Sequence, residues 1–185
     1  GIKPILGCEM YVAAGSIKDK LPRKDQPLYH LILLAQNAAG YRNLMNLCSI
    51  AHLEGYHYKP RVDHETLARH AEGLIALSSC LKGEISQHLL HDRWDEAVRA
   101  AERYRAIFKE DFYLEIQDHG IFEQKKVMQQ MIRLSRELNI PLVATNDVHY
   151  VYPGEHTVQD ILMCIGTGKT VDDENRLKIP TDQLY

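Results

Sequence analysis

Asp147 and His149 are the residues of this sequence whose types and spacing point most directly to chemistry. They end the segment PLVATNDVHY, residues 141–150, which begins with the apolar run 142–144. Such a run predicts a buried strand. Side chains two positions apart on an extended chain face the same side, so a carboxylate and an imidazole would point together from the strand's carboxyl end. Both groups bind divalent metal ions well. A turn aspartate beside a surface histidine is the simpler interpretation.

Other predicted strands carry side chains of the same kinds. Glu9 interrupts the apolar run of the first strand, Cys80 follows the third, and Asp118 and His119 follow the fourth. In a parallel barrel the carboxyl ends of the strands converge on one face. We therefore expect a cluster of thiolate, imidazole and carboxylate groups there. Two metal ions held close together could orient a water molecule and stabilise both oxygens of an in-line phosphoryl displacement.

Each of these residues also has a simpler explanation. Glu9 could be a salt-bridged acid, Cys80 a small buried hydrophobic residue, and His119 a turn residue. His30 lies near the start of its predicted strand, which is the wrong end for this geometry, so spacing alone argues against it. Ser78 and Ser79 lack the GxSxG pattern of a serine hydrolase.

Strands and helices alternate along the chain, and these elements must position the cluster. Apolar patterns predict strands over 4–12, 29–35, 74–79, 112–116 and from 142. Helical periodicity and capping residues predict helices over 38–53, 64–70, 84–91, 94–108, 122–138 and 155–165. This order favours an α/β fold with a parallel sheet or barrel and crossover helices.

Composition limits the class of protein. The 185 residues are 45% hydrophobic and 25% charged, which is ordinary for one globular domain. The net charge of −3 gives no overall basic field for nucleic acid. A local basic run, 18–24, is either a solvated loop or a phosphate contact. The four cysteines form no CxxC pair, and no apolar run approaches the roughly 20 residues that span a bilayer, so we expect a reducing cytoplasm and no membrane.

Seven segments, in order, are similar to the polymerase-and-histidinol-phosphatase (PHP) domain, in the version that opens bacterial replicative DNA polymerase subunits. They are GIKPILGCEMYVA, YHLILLAQNAAGYRNLMNL, EGYHYKPRVD, GLIALSSCLKGEI, FYLEIQDHGI, PLVATNDVHY and DILMCIGTGKT. The resemblance covers nearly the whole chain. It implies a distorted, TIM-like (β/α)7 barrel of about seven strands, with a metal centre at the carboxyl ends.

The resemblance also implies a set of metal ligands. Glu9 of GCE, His30 of YHL, Cys80 of SSC, and Asp147 and His149 of NDVHY match the metal-binding positions of the family. His30 is thereby restored as a candidate. Asp147 and His149 are the expected catalytic residues, and His119 is expected only as a neighbour of the site. The expected cofactors are two or three divalent ions in the complete domain, whether zinc, manganese or magnesium.

The chain departs from the family at its start. The His-x-His motif of the family's first strand and the Thr-Asp-His-Gly motif after its second are not in the sequence. The resemblance therefore implies that 1–185 is one partial PHP domain, with 166–185 leading toward a polymerase palm. Without that palm, the isolated chain is expected not to polymerise DNA.

The function implied is that of a DNA-directed DNA polymerase of bacterial DNA replication. Within it, this domain would be a metal-dependent phosphoesterase acting as a 3′→5′ proofreading exonuclease. The expected partners are DNA, a separate proofreading exonuclease subunit and the sliding clamp. Two alternatives stay open: a metal-stabilised scaffold without catalysis that docks the separate exonuclease, and a free-standing PHP-family phosphatase.

Overall fold

A computed structural model describes residues 1–185, apart from the side chain of residue 23. Its strands are β1 (Gly7–Ala13), β2 (Leu28–Ala35), β3 (Arg61–Val62), β4 (Leu74–Leu77), β5 (Phe112–Ile116) and β6 (Leu142–Ala144). Its α-helices are α1 (Ala38–Leu53), α2 (His64–Arg69), α3 (Glu84–Leu90), α4 (Trp94–Phe108), α5 (Phe122–Leu138) and α6 (His156–Thr167). The mixed α/β class is as predicted.

Two of the helices begin where the sequence predicts because polar side chains cap them. The side chain of Asn37 accepts a hydrogen bond from the Gly40 amide at 3.0 Å, at the start of α1. Asp63 does the same for the Thr66 amide at 2.8 Å, at the start of α2. Each cap satisfies an amide that has no partner within its helix. The two-residue strand β3 was not predicted, because it is too short to show a pattern.

The sheet is mixed rather than parallel, with the strand order β3-β1-β2-β4-β5-β6. β2 runs antiparallel to both of its neighbours, while the other pairings are parallel. A parallel pair needs a crossover connection, usually a helix. Residues 14–27, between β1 and β2, contain only a short 3-10 turn, so β2 returns beside β1 in the opposite direction. The expectation of an all-parallel sheet is therefore wrong for β2.

The core lies between the sheet and the helices, and it fixes the positions of the strand ends. Its fully buried members include Leu31, Leu33, Leu47, Phe112, Leu114 and Met131. Among the described residues, no helix is both long and apolar enough to cross a membrane.

Candidate metal centre

Glu9, His30 and Cys80 come together on one side of the sheet. Glu9 Oε1 lies 2.7 Å from His30 Nδ1, and Cys80 Sγ lies 4.0 Å from the same nitrogen. In the β1–β2 ladder, Tyr11 pairs with His30 and Glu9 pairs with Ile32. Glu9 and His30 therefore share a face as diagonal neighbours. The reversal of β2 explains why spacing alone placed His30 at the wrong end.

The turn after β4 brings Cys80 to this pair. His30 donates its backbone amide to the carbonyl of Lys82 at 3.0 Å, which ties β2 to the turn. Ser79 has a φ of 68°, in the left-handed region that favours glycine. A Cβ on Gly83 would lie 2.0 Å from the carbonyl oxygen of Ser78, so this tight turn requires glycine there.

Glu9 and His30 form an ion pair. A hydrogen bond from His30 lowers the pKa of Glu9 below its ordinary value, against the opposing effect of burial, and nearby Lys82 and His149 lower it further. Burial alone lowers the pKa of His30, but hydrogen bonds with Cys80 and Glu9 outweigh burial and raise it to about 9. Each partner thus stabilises the charged form of the other.

Asp147 and His149 lie beyond the end of β6, on a turn rather than on the strand. Asp147 has a φ of 45°, so the extended alternation predicted for this segment stops before it. The ring of His149 donates from Nδ1 to the carbonyl oxygen of Asp147 at 2.6 Å, which leaves Nε2 as the nitrogen that can accept a proton or bind an ion. His149 is close enough to Glu9 to influence its pKa, and Asp147 does the same to Glu115.

The donor set fits a divalent metal ion by its chemistry. Thiolate and imidazole groups suit zinc, and carboxylates also suit manganese and magnesium. The geometry is less complete. In the part of the chain that the structure describes, no three or more His, Cys, Asp or Glu side chains are arranged to hold a metal ion. Glu9 and Cys80 each contact His30, whereas His149 lies near Glu9 and Asp147 lies near Glu115.

Glu115 is a buried carboxylate beside the site that sequence reasoning missed. It accepts hydrogen bonds from the Ser79 amide at 3.0 Å, from the Gln117 side chain at 3.0 Å and from the Thr145 hydroxyl. Burial raises its pKa, the hydrogen bonds oppose that rise, and nearby Asp147 adds to it. Glu115 therefore ties together the ends of β4, β5 and β6. Its signal was the one charged residue within FYLEI, the strand β5.

His119 is buried and has a structural role. Its Nε2 lies 2.9 Å from the carbonyl oxygen of Asn146, and its Nδ1 lies 2.8 Å from the side-chain nitrogen of Gln124. Nε2–H donates to the carbonyl, and Nδ1 accepts from the amide. Because both ring nitrogens are occupied, His119 positions the turn before Asp147. Asp118 accepts from the Gly120 amide at 3.0 Å, as a turn residue does.

The end of the chain folds back over the same turn, although its sequence has no strong pattern. The Leu184 carbonyl accepts from the His149 amide at 2.8 Å, and the Leu184 amide donates to the hydroxyl of Tyr150 at 3.1 Å. Thr181 donates its hydroxyl to the carbonyl of His119 at 2.9 Å. These contacts hold the segment that carries Asp147 and His149.

Comparison with known proteins identifies the family. The PHP domain profile matches residues 1–119. The chain is 54% identical to the DNA polymerase III subunit alpha of Treponema pallidum, 47% to that of Borreliella burgdorferi and 46% to that of Thermus aquaticus. All of this chain aligns in each case, but it spans only 16%, 16% and 15% of those proteins. The chain therefore belongs to the PHP domain family.

Proposed function

We propose that this chain is the PHP-domain part of a DNA polymerase III alpha subunit and that the domain hydrolyses phosphodiesters with a divalent metal ion. The observation that carries the proposal is the contact of both Glu9 and Cys80 with His30, which brings together three donors from separate segments. Similarity over the whole chain to subunits of that name supports it. The whole protein would then be a replicative DNA-directed DNA polymerase of the bacterial cytoplasm.

In this proposal Glu9, His30, Cys80, Asp147 and His149 hold zinc, manganese or magnesium. A bound ion supplies positive charge beside the phosphoryl oxygens. The chain itself contributes orientation. Glu9 fixes the ring of His30 through Nδ1, and the carbonyl of Asp147 fixes the ring of His149. Nε2 of His149 would then be the atom that binds the ion or carries a proton.

The proposed reaction removes a nucleotide from the 3′ end of a DNA strand. The oxygen of water forms a bond to the terminal phosphorus, and the bond from that phosphorus to the preceding 3′ oxygen breaks. A proton from the water ends on that 3′ oxygen. The products are a 5′-mononucleotide and a strand shortened by one residue with a free 3′ hydroxyl.

The proposal extends to the architecture and partners of the longer protein. The sheet described here would be part of a distorted barrel completed by other segments, and 166–185 would lead toward the polymerase palm. DNA, a separate proofreading exonuclease and the sliding clamp would be its partners. The similarity to proteins of about six times this length supports this view.

The test measures 3′→5′ degradation of a single-stranded oligonucleotide by the full-length protein, without nucleoside triphosphates. We expect chelation to abolish it and one of the three ions to restore it. Asp147→Asn and Glu9→Gln should each lower the rate at least about 100-fold, since they remove charge next to the metal ion. The matched control is Glu65→Gln, an exposed carboxylate on α2, with an unchanged rate.

Equal rates in wild type and in both site variants, or activity that survives chelation, would contradict the proposal. Metal-dependent thermal stabilisation without any degradation would instead favour the scaffold that docks a separate exonuclease.

A further inference from the structure

An exposed aromatic and basic loop lies beside the Glu9–His30 pair. The loop, 55–60, joins α1 to β3, and we call it the tyrosine loop. Tyr56 and Tyr58 are 58% and 57% exposed, which is unusual for two large rings only two residues apart. Lys59, the next residue, is also exposed.

A continuous series of contacts runs from this loop to the candidate metal centre. The ammonium group of Lys59 lies 5.5 Å from the centre of the Tyr11 ring, a cation–π distance. The Tyr11 ring in turn lies 5.1 Å from the ring of His30, nearly perpendicular to it. His30 contacts Glu9 and Cys80. The tyrosine loop and the donors thus share one surface.

The tyrosine loop is held from beneath. The buried side chain of Arg61 donates to the Gly55 carbonyl at 2.9 Å and to the Ile17 carbonyl at 2.9 Å. His57 Nε2 lies 2.7 Å from the carbonyl oxygen of Leu21, which accepts its hydrogen bond. Arg61 and His57 therefore fix the base of the loop against the neighbouring loop that follows β1.

The backbone of the loop is strained at one of the exposed rings. Tyr58 has a φ of 62°, in the left-handed region that bulky residues rarely adopt. Strain of this kind costs free energy and clusters at binding sites. At Tyr58 the strained backbone presents to solvent a ring that does not belong to the hydrophobic core.

We propose that this surface binds a single-stranded nucleic acid whose 3′ end reaches the Glu9–His30–Cys80 donors. Bases would stack on Tyr56 and Tyr58, and phosphates would contact Lys59 and Lys82, an exposed lysine that influences Glu9. Aromatic rings with interspersed cations are the usual surface for single strands, because every base has a face that can stack. Because the net charge of the chain is −3, the electrostatic attraction for phosphates would be confined to this surface. The choice of substrate end rests on the proposed function.

The first test is photo-crosslinking of the full-length protein to an oligonucleotide of about 12 nucleotides that carries 5-iododeoxyuridine near its 3′ end. We expect mass spectrometry to find the adduct on residues 56–59. Tyr56→Ala should reduce the yield strongly, whereas Tyr56→Phe, which keeps the stacking ring, should retain it. Tyr41→Ala removes another exposed tyrosine, on α1, and should leave the yield unchanged. Absence of an adduct in the tyrosine loop would overturn the inference. The same holds if the loop binds a protein subunit and forms no adduct with the oligonucleotide.

The second test is kinetic and uses Tyr58→Asn, because asparagine tolerates the left-handed conformation. The KM for the oligonucleotide should rise about 5- to 100-fold relative to the KM for bis(p-nitrophenyl) phosphate, which is too small to reach the loop. Lys59→Gln should reduce the slope of log KM against log salt by about 0.7, the amount expected for one phosphate contact. An unchanged KM ratio and slope would contradict the inference.

The two tests separate this inference from the proposed function. If the wild-type protein hydrolyses neither substrate, the proposed function fails, while crosslinking still decides whether the surface binds a single strand. If hydrolysis occurs without an adduct in the tyrosine loop, the proposed function stands and this inference fails.

Discussion

Glu115 shows at the scale of one residue how the site is built. Its two carboxylate oxygens accept three hydrogen bonds, from the residue before Cys80, from Gln117 in the segment after β5, and from Thr145 after β6. A buried carboxylate with three donors holds these segments at fixed positions. Glu115 thereby positions segments that border the candidate metal centre.

Replacing Glu115 with glutamine should destabilise the protein. The new NH₂ group would face a donor where an oxygen accepts now, which leaves a buried donor without a partner. We expect the free energy of unfolding of this chain to fall by about 2 kcal/mol in urea denaturation. The control is Glu65→Gln, whose carboxylate is exposed and lies 4.0 Å from Arg69, with a change below about 0.5 kcal/mol. Equal stabilities of Glu115→Gln and wild type would show that the network carries no net stability.

The types of the residues indicated candidates for the site more reliably than their spacing in the sequence indicated where they lie in the fold. Glu9 was recognisable because an acid stood where apolar residues were expected, and Cys80 because a thiol stood just past the end of a strand. His30 was misjudged from spacing because the direction of β2 depends on a pairing distant in sequence. Glu115 was missed because a single acid within a strand more often faces solvent, and burial is a tertiary property.

At the scale of elements, Glu84 joins three helices. It lies in the first turn of α3, is buried, and pairs with His64 of α2 at 3.1 Å and Arg103 of α4 at 2.5 Å. Burial alone would raise the pKa of Glu84, but the hydrogen bond from His64 and the charges of His64 and Arg103 outweigh burial and lower the pKa below its ordinary value.

The stabilising effect of Glu84 should depend on pH. Because its pKa is lower in the folded state, its contribution is fully present above about pH 4.5 and is lost as the pH falls through the folded-state pKa. We expect Glu84→Gln to lower the free energy of unfolding by about 2 kcal/mol at pH 7. That difference should shrink steadily below pH 4.5 in denaturation curves. If the difference in unfolding free energy stays constant down to pH 3, the negative charge of Glu84 is not its cause.

Two glycines test how closely the helices pack. A Cβ on Gly40 of α1 would lie 1.7 Å from the carbonyl oxygen of Gly73, which cannot move without disturbing the turn before β4. Gly40→Ala should therefore cost about 3 kcal/mol or more. Gly166 of α6 has nothing within 4 Å, so Gly166→Ala should stabilise by about 0.5 kcal/mol. Thermal unfolding of both variants measures the contrast, and similar melting temperatures would refute it.

The helices were predictable because their signals are local. The observed bounds of α4, α5 and β5 equal the predicted ones, since the apolar pattern that predicts each element lies within its own segment. Strand direction was not predictable, because a loop without a helix leaves several pairings open. The turn at Asp147 was not predictable either, since its positive φ depends on His119 and on the returning chain end.

At the scale of the whole molecule, one surface combines the candidate functional residues. The donors Glu9, His30 and Cys80 are in contact, the turn with Asp147 and His149 lies near them, and the tyrosine loop borders them. Resemblance to a family supplied the ligand set, and the mixed sheet explains how distant segments meet. We propose that these side chains hold a divalent metal ion.

The most direct test is the metal content of the full-length protein, purified without chelators and measured by inductively coupled plasma mass spectrometry. We predict at least about one zinc, manganese or magnesium ion per chain in the wild type and in Glu65→Gln. Glu9→Gln and Cys80→Ala should each retain much less, because each removes a donor. Equal metal content in wild type and in both donor variants would contradict the account.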